Sequence, residues 1–446
     1  MKDLKTLLSQ TTFSKEDLAR LVSLSDPAER EALYKAAYAV KAAHVGRVAY
    51  YRGLVEFSNI CVKDCLYCGI RKSNHAVARF ESSMDEILEQ AKWIYENHYG
   101  SIVLQSGERT DPKFIDFVDE AVRGIKALSS GRLGITLCVG EQSKETYARW
   151  FESGAHRYLL RIEESNPAFY ATMHPADGHH LWQVRNNCLL ALREVGYQVG
   201  TGVMIGLPGQ TAEHLADDLL YFRDMQIDMI GMGPYIVAAE TPMGRAVLAA
   251  GADTDADRSR RFELGLNMIA AARLLMPDVN IAATTALQGL HKHGRELGLR
   301  AGANVLMPMA TLPKYRKGYQ LYDGKPCVED TTEQCLNCLT GRVRWAGDTV
   351  GYDAWGDSKH YFERRGVAPR PGQEAGEGRR ARRTIPICEE KPAGACDHFQ
   401  AEAEGPSPRG CEWTGCREAC QNGGWLASDS PPFSPQRSCL DRARAP

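Results

Sequence analysis

The sequence predicts an α/β fold in which eight parallel strands close into a (β/α)8 barrel of the TIM type. From residue 50 to about residue 308, short apolar segments alternate with amphipathic helical segments, which is the rhythm of parallel β/α architecture. Eight of the apolar segments have the length and composition of strands. The chain has 446 residues, 43% of them apolar, so it is long enough for one large barrel with additions at its ends.

Helix start and stop signals separate the predicted strands. Ser83 and Glu86 form a capping-box pattern, and Thr211 is placed to begin another helix. Gly196 and Pro277 each follow a helical segment and end it. The strands predicted in this register are residues 53–57, 101–105, 134–139, 157–162, 198–205, 228–232, 279–284 and 303–307.

Three regions are expected along the chain. Residues 1–46 have apolar residues at helical spacing and form an N-terminal helical lead-in. Residues 47–345 contain the barrel and a C-terminal cysteine segment. Residues 346–446 are expected to be a tail of low order, because beyond about residue 366 Pro, Gly, Glu and Arg accumulate and apolar periodicity is lost.

Charge and hydropathy narrow the expected partners. The chain has 54 basic and 56 acidic residues, a formal net charge of −2, which gives no electrostatic footprint for nucleic acid or an anionic membrane. No apolar run approaches the roughly 20 residues of a membrane-spanning helix, and the N-terminus lacks the apolar core of a signal peptide. A cytoplasmic protein that acts on a small molecule is therefore expected. Its 14 cysteines are then better candidates for metal binding or burial than for disulfides.

The cysteine motif after the first predicted strand is the strongest functional signal. Cys61, Cys65 and Cys68 lie in one short loop, where barrel enzymes place active-site residues. Three thiolates leave one iron of a 4Fe-4S cube open to bind a cofactor or substrate. The alternative is a structural zinc site completed by His75 or another distant residue, although closed zinc sites usually pair two short cysteine knuckles.

This spacing, with aromatic Tyr67 before the last cysteine, resembles the signature of radical S-adenosylmethionine (SAM) enzymes. In that superfamily the open iron binds SAM, and an electron from the cluster cleaves SAM to methionine and a 5'-deoxyadenosyl radical. The resemblance narrows to the HydE-type maturases of FeFe hydrogenase, which act in anaerobic assembly of the enzyme's di-iron subcluster. It covers roughly residues 1–345 and is carried by the segments RGLVEFSN at 52–59, GIR at 69–71, VLQSGE at 103–108, RYLLRIE at 157–163, GLPGQT at 206–211, AATTA at 282–286 and GANVLMP at 302–308.

The resemblance implies a cofactor site at the ends of strands two and four. Tyr67, Ser106, Gly107 and Glu108 are expected beside SAM, together with Glu163 and Arg185. The alternatives are an ordinary strand-to-helix turn at Gly107 and a surface ion pair between Glu163 and Arg185, because Arg185 lies on a helix.

The substrate cavity is expected at the barrel mouth, where the ends of several strands converge. Neutral polar groups beside a thioether suit a polar ligand of low net charge, although methionine more often fills core space. In the related maturases the substrate is an organometallic complex, a cysteine-bound iron carbonyl cyanide supplied by a partner maturase. The residues expected to line the cavity are Gln105, Thr136, Arg161, Met229, Thr284, Thr285, Met307, Tyr319 and Tyr322.

A second cysteine group follows the eighth predicted strand. It consists of Cys327, Cys335 and Cys338. The resemblance to the HydE-type maturases implies an auxiliary iron-sulfur cluster at this position, which some members of that family lack. The alternative is three thiols that bind nothing. Cys138 and Cys188 are isolated on a strand and a helix and are expected to be core residues.

Two other function classes stay open on the sequence. A sister radical SAM enzyme, such as biotin synthase or methylornithine synthase, shares the barrel and the first motif; the second cysteine group argues against methylornithine synthase, and the strand-seven threonines argue against biotin synthase. An iron-sulfur carrier without enzymatic activity needs no barrel of this size.

Overall fold

A computed structural model of the protein describes residues 3–329 and 332–369, and leaves out the side chains of 332–338. The predicted tail from residue 370 onward lies outside the described residues. The strands are β1 Val48–Ser58, β2 Ser101–Ser106, β3 Gly134–Cys138, β4 Arg157–Leu159, β5 Gln198–Thr201, β6 Met204–Ile205, β7 Met229–Ile230, β8 Gly233–Pro234, β9 Asn280–Ile281, β10 Val305–Leu306 and β11 Thr349–Val350. The helices are α1 Leu4–Ser9, α2 Lys15–Val22, α3 Pro27–His44, α4 Met84–Glu96, α5 Pro112–Leu128, α6 Lys144–Glu152, α7 Pro167–Thr172, α8 Trp182–Val195, α9 Ala212–Asp224, α10 Pro242–Ala249, α11 Asp255–Leu275, α12 Thr285–Leu290, α13 Gly294–Arg300, α14 Pro313–Arg316, α15 Thr332–Trp345 and α16 Lys359–Arg365.

Eight parallel strands form the barrel, as predicted. The order around the sheet is β10, β1, β2, β3, β4, β5, β7, β9. The two ends of this sheet meet at a parallel bridge between Ala282 and Val305. The Asn304 N–H donates to the Ile281 carbonyl at 2.9 Å, and the Ala283 N–H donates to the Val305 carbonyl at 2.9 Å. These bonds close the ring.

Two predicted strands are interrupted in the structure. The predicted strand at 198–205 divides into β5 and β6, and the predicted strand at 228–232 gives way to β7 and β8. At the break the backbones approach so closely that a Cβ on Gly202 would clash with the Gly231 carbonyl oxygen. Only glycine fits there, and β6 continues beside β8 as a separate parallel pair.

The N-terminal helices pack on the outside of the barrel. α2 lies against α9, and α3 lies against α11. Asn267 on α11 donates hydrogen bonds to the carbonyls of Val22 and Leu24 at 2.9 and 3.0 Å, and accepts one from Tyr34 at 2.7 Å. A buried amide thus pairs its polar groups with the lead-in helices. In the part of the chain that the structure describes, no helix is long and apolar enough to cross a membrane.

Residues 351–358 form the floor of the barrel, the cover at the end where the strands begin. Arg52 and Asn280 both donate to the Gly356 carbonyl, at 3.1 and 2.8 Å. Arg157 donates to the Trp355 carbonyl at 3.0 Å and forms an ion pair with Asp357 in which both side chains are fully buried. The chain is therefore folded beyond the predicted boundary at residue 345: β11 pairs with β1, and the segment after it supplies partners for charges inside the barrel.

Replacing Asp357 with asparagine is expected to destabilise the fold by about 3 kcal/mol, because Arg157 would be left as a buried charge without its counter-ion. Urea unfolding measures the change. Asp353→Asn is the matched control, since Asp353 lies in the same segment but pairs with His98 at the surface, and its expected cost is below about 1 kcal/mol. Equal costs for the two variants would contradict this account of the barrel floor.

At the opposite end of the barrel, the turn after β2 presses against the loop that carries the three cysteines. A Cβ on Gly107 would clash with the Ile60 carbonyl and lie 2.8 Å from the Cβ of Cys61. The Gly107 N–H donates to the Ser58 carbonyl at 2.9 Å, and the Val62 N–H donates to the Glu108 carbonyl at 2.9 Å. The position of the cysteines is therefore fixed by backbone contact with β2.

Gly107→Ala is expected to displace this loop and to lower the iron bound per chain after anaerobic reconstitution. Gly341→Ala serves as the control, because a Cβ at Gly341 in α15 meets no atom of the described residues within 4 Å and alanine favours a helix. Full iron loading of Gly107→Ala would show that the contact does not position the cysteines.

Candidate active site

A cavity of about 310 Å³ opens among the ends of the barrel strands. Its walls come from the cysteine loop, the turns after the strands and the chain that follows β10. The predicted site residues that line it are Cys61, Cys65, Tyr67, Cys68, Gln105, Ser106, Gly107, Glu108, Arg161, Glu163, Arg185, Thr284, Thr285, Met307, Tyr319 and Tyr322.

Two residues expected in the substrate cavity lie deeper in the barrel. Thr136 is 1% exposed and accepts a hydrogen bond from Nε of Arg157 at 2.9 Å, so it lies beside the buried charges above the floor of the barrel. Met229 is also buried, and its sulfur contacts the Arg52 guanidinium. Cys138, expected in the core, packs against the core and also lines the cavity. It lies two residues after Thr136 on β3, so the two side chains face the same side of the sheet and Cys138 is nearer the end of the strand. Cys188 is buried, as expected.

The three cysteines of the loop are unpaired thiols, partly buried at the cavity wall. Burial is the largest cause that raises the pKa of all three, and the charges of neighbouring cysteines add to it for Cys65 and Cys68; the pKa of Cys65 is raised to about 12. Backbone N–H groups act in the opposite direction: that of Glu108 lies 3.4 Å from Sγ of Cys61, and that of Ile70 lowers the pKa of Cys68. Buried thiols bind a metal centre as thiolates, and the positive charge of the metal keeps them deprotonated. The backbone N–H groups further stabilise the negative charge on the sulfur atoms.

This donor set fits an iron-sulfur cube. Each cysteine binds a different iron of such a cluster, so the sulfur atoms need not converge on one point. Among the described side chains, no group of three His, Cys, Asp or Glu converges to hold a single metal ion. With three cysteines as ligands, the cube has one iron free to bind SAM.

Tyr67 anchors the cysteine loop to the segment after α7. Its ring meets His174 edge-on at 5.6 Å between centroids, and its hydroxyl lies 3.4 Å from Nε2 of His174. The Leu66 N–H donates to the Met173 carbonyl at 3.0 Å. Burial holds the pKa of Tyr67 well above its usual range, so its hydroxyl stays protonated at the cavity wall.

Four buried charges form a closed network beside the loop. Glu108 follows β2, Glu141 follows β3, Arg185 lies on α8, and Lys63 lies between Cys61 and Cys65. Nζ of Lys63 is 2.8 Å from Glu141 and 3.1 Å from Glu108. Arg185 donates to the same two carboxylates at 2.7 and 3.2 Å. Arg185 is therefore 8% exposed and not part of a surface pair with Glu163.

The two carboxylates of this network respond differently to their surroundings. Burial is the largest effect on each, and it raises the pKa of Glu108 above its usual value. For Glu141 the attraction of Arg185 and Lys63 outweighs burial, and the pKa falls. For Lys63, burial lowers the pKa, but Glu108 and Glu141 more than compensate and keep it charged. The sequence analysis did not identify Lys63 and Glu141 as site residues. The only sequence signals for them were the position of Lys63 inside the cysteine motif and that of Glu141 just after the third predicted strand.

Glu163 adopts a left-handed backbone conformation, with φ of 68°. Such a conformation in a residue other than glycine is costly and often marks a functional position. Its carboxylate accepts from Nε of Arg161 at 3.1 Å, and both side chains line the cavity. The paired charges of Arg161 and Glu163 therefore lie at the rim of the cavity, where a ligand can contact them.

The chain after β10 forms another wall of the cavity. The Tyr319 hydroxyl accepts from Gln105 at 3.3 Å. Lys325 donates to the Tyr319 carbonyl at 2.8 Å and to Glu56 on β1 at 2.5 Å. Glu56 and Lys325 are both buried and were not foreseen, because nothing in the sequence links a strand-one carboxylate to a lysine 269 positions later.

Cys327 follows this wall and is partly buried, with φ of 64°. Nη2 of Arg295 lies 3.8 Å from its sulfur. The side chains of Cys335 and Cys338 are outside the described part of the structure, so the proposed auxiliary cluster remains a prediction.

Comparisons with known proteins agree with this geometry. The family model for the radical SAM superfamily matches residues 55–222. The FeFe hydrogenase maturase subunit HydE of Thermotoga maritima is 40% identical over 357 residues, which is 80% of this chain and 97% of that protein. A 3-methylornithine synthase of Methanosarcina acetivorans is 25% identical over 70% of this chain and 83% of its own length.

Among solved structures, a crystal structure of methylornithine synthase (PylB) shares the fold. Its TM-score is 0.65 at 22% identity, with 78% of this chain and 97% of that chain covered. The likeness in structure shows the barrel, whereas the likeness in sequence to the maturase extends over nearly the whole of that protein. The chain belongs to the HydE family of FeFe hydrogenase maturases, within the radical SAM superfamily.

Proposed function

We propose that this protein is a radical SAM maturase that helps to assemble the di-iron subcluster of FeFe hydrogenase. The observation that carries the proposal is the set of three cysteines at the cavity rim, in a chain whose identity to a HydE maturase covers 97% of that protein. The 4Fe-4S cluster, when bound by Cys61, Cys65 and Cys68, supplies the electron that cleaves SAM into methionine and a 5'-deoxyadenosyl radical.

The residues of the chain bind and orient the cofactor and exclude water. Arg185 lines the cavity, and hydrogen bonds to Glu141, Glu108 and the Arg161 carbonyl use three of its five N–H groups, which leaves two that suit a carboxylate of SAM. The carboxylate of Glu163 lies at the rim, where it suits an amino group. Tyr67 and the turn at 106–108 enclose the cysteines, and a site closed to water protects a reactive radical from side reactions.

The deeper part of the cavity suits a polar substrate of low net charge. Gln105, Thr284 and Tyr319 offer neutral hydrogen-bonding groups, and Met307 adds a soft thioether. The Thr284 hydroxyl is buried and has no partner among the described residues, so a ligand can satisfy it. These features support an organometallic substrate, a cysteine-bound iron carbonyl cyanide delivered by a partner maturase.

A sister activity, such as that of methylornithine synthase, is the second candidate, because the barrel is shared. It is less well supported, since the sequence identity to that enzyme is 25% against 40% to the maturase. A non-enzymatic carrier has no use for the cavity.

Adding this protein to an otherwise complete anaerobic maturation mixture is expected to activate apo FeFe hydrogenase, measured as hydrogen evolution. Cys65→Ala is expected to abolish both cluster assembly and SAM cleavage, because one of three ligands is lost. Cys188→Ala is the control, as Cys188 is a buried cysteine outside the loop. SAM cleavage without hydrogenase activation would favour a sister enzyme, and undiminished cleavage by Cys65→Ala would refute the cluster assignment.

Cys335→Ala is expected to leave SAM cleavage largely intact, because the auxiliary cluster is dispensable in the family that this segment resembles. Production of 5'-deoxyadenosine per chain measures the effect. A loss as large as that caused by Cys65→Ala would overturn the auxiliary role.

A further inference from the structure

Lys63 occupies an unusual position for a lysine in a loop. It lies between two cysteines, yet only 9% of its side chain is exposed. Its ammonium group has three acceptors, the carboxylates of Glu141 and Glu108 and the His179 carbonyl. Three acceptors match the three donors of an ammonium group, so Lys63 is fully paired and fixed in place.

Glu141 joins Lys63 to Arg185. One carboxylate oxygen accepts from Lys63 at 2.8 Å, and the other accepts from Nε of Arg185 at 2.7 Å. A Cβ at the preceding Gly140, where φ is 84°, would clash with the Glu108 side chain. The turn after β3 is thus shaped so that both carboxylates meet the same two cations.

The network reaches the cysteine ligands through the backbone. The N–H group of Glu108 lies 3.4 Å from Sγ of Cys61, while its side chain holds Lys63 and Arg185. All four charged side chains are less than 10% exposed. Lys63 itself lies two residues from both Cys61 and Cys65, and Glu141 is 2.8 Å from its ammonium group. Water screens buried charges weakly, so a change in either charge is expected to be felt by a cluster on this loop.

We propose that Lys63 and Glu141 are positioning residues that set the reduction potential of the cluster through the balance of their buried charges. The inference rests on the proposed cluster at Cys61, Cys65 and Cys68. Reduction adds one negative charge to the cluster, so a neighbouring cation favours the reduced form and a neighbouring carboxylate disfavours it. Because Lys63 and Glu141 are ion-paired at 2.8 Å, their opposite effects on the reduction potential are exerted from fixed positions.

The test uses Lys63→Met and Glu141→Gln in the full-length protein, with the midpoint potential followed by EPR during a redox titration without SAM. Removing the lysine is expected to lower the potential, and removing the carboxylate is expected to raise it. The double variant is expected to return close to the wild-type value, and Lys63→Arg is expected to keep it. Lys72→Met and Glu145→Gln are matched controls, because both residues are exposed.

Opposite shifts distinguish this role from a structural one, in which both variants would alter the cluster in the same way. Unchanged potentials, or shifts of the same sign, would overturn the inference while leaving the proposed function intact. Absence of a 4Fe-4S signal in the wild-type protein would instead remove the proposed function itself.

Iron content covers the case in which a single variant fails to load. Without Lys63, the carboxylates of Glu108 and Glu141 share the single cation of Arg185, whereas the double variant leaves Glu108 alone with Arg185. Recovery of iron and sulfide in the double variant supports the paired role. Loss in the double variant as well would show that Lys63 serves only the folding of the loop, and would overturn the proposal.

Discussion

Closure of the sheet between β9 and β10 is the constraint on which the rest of the molecule depends. A closed parallel barrel brings the carboxyl ends of all its strands to one rim, so turns far apart in the sequence meet around a single cavity. The same closure encloses Arg52 and Arg157, which require partners at the opposite end. Residues 351–358 supply those partners, and the floor they make leaves the cavity accessible from the rim.

The sequence was informative where a local signal determines local structure. The cysteine loop, the number of strands and the capping box at Ser83 could be predicted because each depends on neighbouring residues. The depth of a side chain inside the barrel could not. Thr136 and Cys138 both belong to β3, and only the tertiary structure shows that one meets Arg157 while the other reaches the cavity. For the same reason the sequence left open a surface ion pair between Arg185 and Glu163 as the alternative to a place beside SAM, and only the structure shows that carboxylates from two other turns bury Arg185.

The fold alone does not separate the maturase from its sister enzymes, because a methylornithine synthase has the same barrel. The separation comes from the extent of sequence identity, and the site explains why it matters. Glu56, Gln105 and Tyr319 form part of a wall to which the chain after β10 contributes, so substrate contacts depend on a segment outside the eight strands. A change in that segment alters the cavity without altering the barrel.

The pairing of β1 with β10 and β11 has a consequence for biosynthesis. Val48 pairs with Thr349, and Tyr50 pairs with Val305, so the first strand must wait for partners that are synthesised about 250 to 300 residues later. While the ribosome translates the intervening chain, β1 has an open edge and the floor is missing. The cysteine loop emerges early but gains its final surroundings late. Iron loaded before translation passes residue 357 would therefore enter a barrel that still lacks its floor.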